Sequence, residues 1–344
     1  MGLINFIKKE TRADTEDSNK NISKDEEVLL SSVLSVETID RDKALEIPAV
    51  QASISMIAST ISMLPIKLYK ETEQGTEEVK DIRTSLLTKD TRDTLTAAQF
   101  WRAIVEDYFL GKGGYVYINR EFNKVKSLHY VAEEEVTIVD TPDPIFKDYD
   151  IWVYGKKYMP FEYLKFIRKT KKGGSGRSLI DENNLMLQVA YATLKYERGM
   201  VKKGGNKRGF LKSENKLTDQ AMNLLKNAFK HLYNNNEENV VVLNKGIDFK
   251  EASNTSVEMQ LNENKTTNFE DIIKLFNIPV GMFSKNPTDS IEREFMKKAI
   301  MPILVDFEQS LDRDLLLESE KQNYYFAFDT KEMLRGNVKE HITS

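Results

Sequence analysis

Ile272-Ile273-Lys274-Leu275-Phe276-Asn277-Ile278-Pro279-Val280-Gly281 is the pivot of this sequence, because it separates two long helical patterns of opposite character. Before it, Val257 to Phe276 reads as a helix whose middle, Asn262-Glu263-Asn264-Lys265-Thr266-Thr267-Asn268, has no apolar stripe. Such a segment suits a helix facing water on one side and copies of itself on the other; a frayed or broken helix fits the same residues. After it, Asp289 to Leu317 is the longest helical pattern, apolar at Ile291, Phe295, Ala299, Ile303, Phe307, Leu311 and Leu315. Pro302 inside it removes one backbone hydrogen bond and predicts a kink.

Upstream, Gly173, Gly174 and Gly176 interrupt the chain, and Ser178 to about Lys203 returns as a helix with Leu179, Leu185, Leu187, Val189 and Leu194 as its apolar residues. At about 1.5 Å per residue it spans roughly 39 Å. Gly204-Gly205 ends it. A strand at Gly209-Phe210-Leu211, a helix from Thr218 to Tyr233 and an apolar strand Val240-Val241-Val242-Leu243 then form a small αβ unit between the two long helices.

The first half has a different texture. Val50, Ile54, Ile57, Ile61 and Leu64 recur at steps of four and three, giving a helix that Pro65 stops. Ile66 to Lys70 is a strand with a turn near residues 73–77. Thr96 and Gln99 have capping-box spacing for a helix to Leu110. Tyr115 to Arg120 and Val125 to Val131 make a hairpin, and Val136 to Asp140, Ile151 to Tyr154 and Tyr163 to Arg168 add strands. Tyr324 to Phe328 is a closing strand. The class is α+β, with helices on a largely antiparallel sheet.

Composition narrows the function. The 344 residues are 40% hydrophobic and 30% charged, enough for two or three cores. With no cysteine there is no disulfide, thiolate metal site or cysteine nucleophile, and His129, His231 and His341 lie too far apart to suggest a metal centre. No run approaches a membrane span, so no stable membrane insertion is expected. Met1 to Lys9 reads as a short amphipathic helix, and Glu10 to Glu27 as a mobile arm. The net charge of −4 is unlike that of a conventional duplex-DNA binder. Yet Lys165 to Lys212 holds thirteen cations against Asp181, Glu182 and Glu197, a local +10 that leaves −14 elsewhere.

Possible chemistry is thin. Gly111-Lys112-Gly113-Gly114 and Lys171-Lys172-Gly173-Gly174-Ser175-Gly176-Arg177-Ser178 lack the lysine placement of a nucleotide loop, and the second reads better as a turn opening a helix. Glu133-Glu134-Glu135 and the pair Asp312 and Asp314 read as solvated faces or intersubunit contacts, because neighbouring side chains diverge. Nothing in the sequence pairs His129 or His231 into a serine-histidine-aspartate set. No catalytic residue, cofactor or metal is expected. The basic segment is either a surface balancing acidic neighbours or cations near a channel mouth at Lys202, Lys203, Lys207 and Arg208.

In order along the chain, Met63-Leu64-Pro65-Ile66-Lys67-Leu68-Tyr69, Phe109 to Ile118, Gly174 to Leu179 and Ile272 to Val280 resemble the portal proteins of tailed bacteriophages, in the variety found in siphophage-like heads and prophages. The likeness spans roughly Ala44 to Val338. It implies a portal fold: a flexible arm at 1–42, an α+β wing at 43–175, a first stem helix at 176–203 and an αβ clip at 204–254. A second stem helix at 255–276, a tunnel loop at 277–288, a kinked spine helix with a closing wing strand at 289–330, and a truncated crown or tail at 331–344 follow. It further implies a ring of typically twelve copies at one capsid vertex in the virion, assembled in the host cytoplasm. Double-stranded DNA would pass through without sequence readout. The large terminase, the major capsid protein and a head-completion adaptor would be the partners, and the terminase would supply the energy. On this likeness Ser284, Lys285, Asn286 and Thr288 lie nearest the DNA, with Lys265 and Lys274 behind them. Lys202, Lys203, Lys207 and Arg208 face the terminase or the channel mouth. The competing reading is a non-channel scaffold or adaptor without catalysis, which would be monomeric or a small oligomer.

Overall fold

The computed structural model describes residues 38–202, 209–213, 218, 220, 222–224, 227, 247–251 and 256–331. The expected amphipathic helix at 1–9, most of the 218–233 helix, the 240–243 strand, Lys203, Lys207, Arg208 and the tail past 331 lie outside them. The described residues begin at Thr38, within the stretch expected as the arm at 1–42. Ile39 is buried, and Asp40 caps a short helix α1 (Arg41–Leu45) through the Lys43 amide. Ile39 exchanges two backbone hydrogen bonds with the Asn184 side chain, and Arg41 forms ion pairs with Glu106 and the fully buried Asp107, both at 2.7 Å. Burial lifts the Asp107 carboxyl to about 6 although the Arg41 charge pulls the other way.

Helix α2 (Pro48–Met63) buries the expected stripe of Val50, Ile54, Ile57 and Ile61. Leu64 is already extended because a proline follows it, so the helix ends where the sequence says. Strand β1 (Ile66–Thr72) pairs with β2 (Gly75–Val79) across the tight Glu73-Gln74 turn. Helix α3 (Ile82–Thr88) follows, and then α4 (Ala97–Leu110), which opens on the Thr96/Gln99 capping box. The strands β3 (Gly114–Glu121) and β4 (Lys124–Val131) form the hairpin, with Phe122 and Asn123 both at positive φ in its turn. β5 (Val136–Asp140), β6 (Tyr149–Val153), β7 (Lys156–Tyr158) and β8 (Tyr163–Phe166) complete two three-stranded sheets, ordered β4-β3-β8 and β5-β6-β7. Tyr115, Val136, Ile151 and Tyr163 form a small core of their own.

The first long helix, α5 (Leu179–Lys202), is interrupted at Asn183. A two-stranded pair, β9 (Gly209–Ser213) with β10 (Ile247–Glu251), lies before the second, α6 (Ser256–Leu275). The long spine pattern is divided into α7 (Asp289–Phe295), a π-helical turn at Met296–Ile300 and α8 (Met301–Leu315). Pro302 sits in the first turn of α8, where a missing amide is tolerated, directly after the π-helical turn. β11 (Tyr324–Phe328) closes the sheet ordered β11-β1-β2.

The main core converges on Trp101. Its ring stacks on Phe307 of α8 at 5.6 Å and meets Phe166 of β8 and Phe328 of β11 edge-on, while its indole N–H donates to the Leu87 carbonyl at 2.9 Å. Four elements are thereby fixed by one side chain, in contacts of the kind that stabilise aromatic cores. α8 also holds the outer edge of β11: Asp312 accepts from the Phe326 amide at 2.7 Å and Glu308 from the Phe328 amide at 2.8 Å. Carboxylates four apart on a helix rise about 6 Å, close to the two-residue repeat of a strand. Burial raises both of these carboxyl pKa values.

Candidate functional site

Both glycine motifs owe their residues to packing. A Cβ on Gly176 would lie 2.1 Å from the Arg168 carbonyl oxygen, and one on Gly113 would lie 2.8 Å from that of Phe166. Gly176 donates to the Lys112 carbonyl at 2.7 Å and the Tyr115 hydroxyl to that of Gly174 at 2.8 Å, so the two motifs are bound to one another. Ser178 then caps α5 through the Asp181 amide.

Part of each acidic cluster has a structural role, although Glu134 and Glu135 stay exposed, in keeping with the expected solvated face. Glu133–Glu135 is a 3-10 turn in which Glu133 meets Lys112, and Asp312 serves β11. Asp314 lies 3.3 Å from the ammonium of Lys165, itself 2% exposed and donating to the Pro160 and Tyr163 carbonyls. Burial pushes Lys165 down to about 8 despite that carboxylate. Lys165 is thus removed from the basic surface, and Arg168 and Lys169 share Glu182 while Lys172 meets Asp140. The +10 stretch presents less free charge than its sequence suggests.

His129 also has partners that the sequence hid. Its Nε2 is 2.8 Å from the Ser127 hydroxyl and its Nδ1 3.1 Å from Asp93. Two residues apart on one face of β4, Ser127 and His129 meet a loop acid whose position only the fold reveals. Ser127 is 6% exposed and its oxygen is engaged by Asn119, so the chain of bonds braces the strand and offers no accessible nucleophile. Among the described residues no group of three or more potential ligands could hold a metal ion.

The loop between α6 and α7 is built from the pivot motif. Asn277 adopts φ +56°, its amide donates to the Lys274 carbonyl and that of Ile278 to Ile273, a Schellman stop in which asparagine replaces the usual glycine. Ile278 is buried and Pro279 bars further helix. A 3-10 turn, Val280–Phe283, packs back through Phe283 on Phe269 and places Gly281 against Ile291. Ser284, Lys285, Asn286 and Thr288 are all exposed beyond this anchored base. The Ser284 hydroxyl turns back to the Gly281 carbonyl, and Thr288 receives the first α7 amides through its carbonyl, without a side-chain cap.

The other expected residues are less united. Lys265 reaches across to Glu197 of α5 at 3.0 Å, whereas Lys274 pairs locally with Asp271, whose hydrogen bond raises its pKa. Nine residues apart, they lie about half a turn out of phase on α6, so they do not share a face. Lys202 is the last residue of α5.

A sequence-family model described as phage portal protein matches residues 48–344. No curated protein sequence matches the chain. Among solved structures, the fold is similar to an HK97-family phage portal protein from Corynebacterium diphtheriae, with TM-score 0.61, 14% identity, and 86% of this chain and 96% of that one covered. It is also similar to a chain from the virion of a native gene transfer agent particle (TM-score 0.59, 16% identity, covering 88% and 84%). A third likeness is to a chain in the neck of that particle, computed with C12 symmetry (TM-score 0.57, 16% identity, covering 89% of each).

Proposed function

The chain belongs to the phage portal protein family, and on that premise we propose that about twelve copies close head to tail into a ring through which double-stranded DNA passes at one vertex of a phage-type capsid. In this reading residues 43–175 and β11 are the wing, α5 and α6 the stem, residues 204–254 the clip and 277–288 the tunnel loop, with α7, the π-turn and α8 as the spine. The observation that carries it is the loop. Its base is fixed by Ile278, Phe283 and Gly281, while Ser284, Lys285, Asn286 and Thr288 project into solvent.

A channel must touch DNA without holding it. One lysine among small polar groups supplies weak, sequence-independent contact with phosphates, unlike the cation array of a stable binder. Lys274 lies at the loop end of α6, and Lys265, turned toward α5, serves the stem instead. The clip, with Lys202, Lys203, Lys207 and Arg208 at its border, would meet the large terminase during packaging and a head-completion adaptor afterwards, and the wing would meet the major capsid protein. The terminase supplies the energy, and this chain hydrolyses nothing. Negative-stain images and native mass spectra of the purified full chain test the reading: closed rings with a central hole are expected, and monomers or dimers under every assembly condition would defeat it in favour of the adaptor.

A further inference from the structure

Charge on the wing is segregated. The β1–β2 hairpin carries Glu71, Glu73, Glu77 and Glu78 at its turn end against Lys67 and Lys70 on β1, Lys70 standing across from Glu77 in the strand pairing. Lys67 answers Glu78 at 3.1 Å, while Glu71, Glu73 and Glu77 are exposed and form no ion pair among the described residues. Among the described residues β2 is the outermost strand of its sheet, with one side not paired to a strand. The turn after β8 is the reverse: from Arg168 to Arg177 it holds five cations and no acid. Lys171 and Arg177 are exposed without an ion pair among the described residues, and Lys172 remains 61% exposed although it meets Asp140. This turn is stiff, since the Thr170 hydroxyl donates to the Ser175 carbonyl and accepts from the Gly173 amide, and Gly176 is tied to Lys112.

The two surfaces sit to different sides of α8. Glu308 and Asp312 point from α8 to β11, beyond which lie β1 and then β2. Asp314 points from another face of the same helix to Lys165 of β8, the strand that leads into the basic turn. A head-to-tail ring joins two different surfaces of the same chain at every contact, so those surfaces must complement one another.

We infer that the acidic β1–β2 hairpin of one copy docks against the basic Lys171–Arg177 turn of the next copy around the ring. The inference rests on the ring reading and adds to it which wing surfaces meet. Charge pairing of this kind sets register and rejects wrong neighbours more than it adds affinity.

The test uses the full-length chain with the charge reversals Glu73→Lys/Glu77→Lys, Lys171→Glu/Arg177→Glu, and all four together, with glutamine at the same positions as a milder control. Ring fraction is read by native mass spectrometry and negative stain, and folding of each variant by circular dichroism. Each reversal alone should lower the ring fraction by about tenfold or more, the combined swap should restore it, and glutamine should fall between. Salt should blur these differences as the Debye length drops from about 10 Å at 0.1 M to about 3 Å at 1 M. Wild-type rings with undiminished rings in both reversals, or a combined variant no better than its parents, would overturn this contact and leave the ring standing. No rings from the wild-type chain would remove both.

Discussion

Two long helices of this chain are held in opposite ways. α8 buries Ile303, Leu304, Phe307, Leu311 and Leu315, stacks Phe307 on Trp101, and is engaged on one side by β11 and on another by β8. α6 buries Ile272 and Ile273 near its carboxy-terminal end, with Phe276 just beyond it, while Lys265, Thr266 and Thr267 stand exposed on the turns before. The ion pair from Lys265 to Glu197, with side chains 56% and 33% exposed, contributes at most about 1 kcal/mol. That is small against the roughly 1–2 kcal/mol needed to order each residue of backbone. The difference teaches that α8 is specified inside one chain, whereas the described outer part of α6 shows little burial of its own and, on the proposed ring reading, draws further support from neighbouring copies.

The sharpest way to break this contrast is to cut into α8. Phe307→Ala should cost about 3–5 kcal/mol in denaturant unfolding, because a fully buried ring leaves a cavity among Trp101, Phe166 and Tyr108. A loss below about 1 kcal/mol would mean that the aromatic cluster does not carry the unit. Next is Asp314→Ala, expected to cost about 3 kcal/mol because it strands the buried Lys165 ammonium; Lys165→Met with Asp314→Leu should recover most of that loss.

The same pair has a signature in pH. Lys165 is depressed to about 8, so above that value the folded chain has released a proton that the unfolded chain keeps until about 10.4. Stability should rise as pH goes from 8 to about 10, by up to about 2 kcal/mol, and that gain should vanish as pH falls back through 8. Lys165→Met should flatten the slope; an unchanged slope would assign it to another group. The smallest effect is expected on α6, where Lys265→Ala should change stability by less than about 1 kcal/mol. A larger loss would show that the outer stem is held within one copy after all.

Much of this was readable from local rules. The stripe Val50 to Ile61, the Thr96/Gln99 capping box, the hairpin and the Asn277-Ile278-Pro279 stop are each decided by residues a few positions apart, and they fall where the pattern puts them. β2 escaped notice because Gly75–Val79 is almost wholly exposed and carries no alternation of apolar residues. β7 is too short to show a period, and β10 has only Ile247 and Phe249 to mark it. Long-range pairing hid most of the rest. That Lys165 finds Asp314, that His129 joins Ser127 to Asp93, and that Gly113 and Gly176 crowd one strand exit are facts of tertiary approach. The opposite phasing of Lys265 and Lys274 was available from their nine-residue spacing, and the ion pair to Glu197 makes it concrete.

The proposed dependence of α6 on neighbouring copies can be read directly by amide hydrogen exchange on assembled rings and on monomers prepared from the same full chain. Amides of Lys265 to Asn268 should exchange slowly in rings and at least about tenfold faster in monomers, while those of Phe307 to Leu311 stay equally protected in both. Equal, strong protection of Lys265 to Asn268 in the monomer would contradict the account.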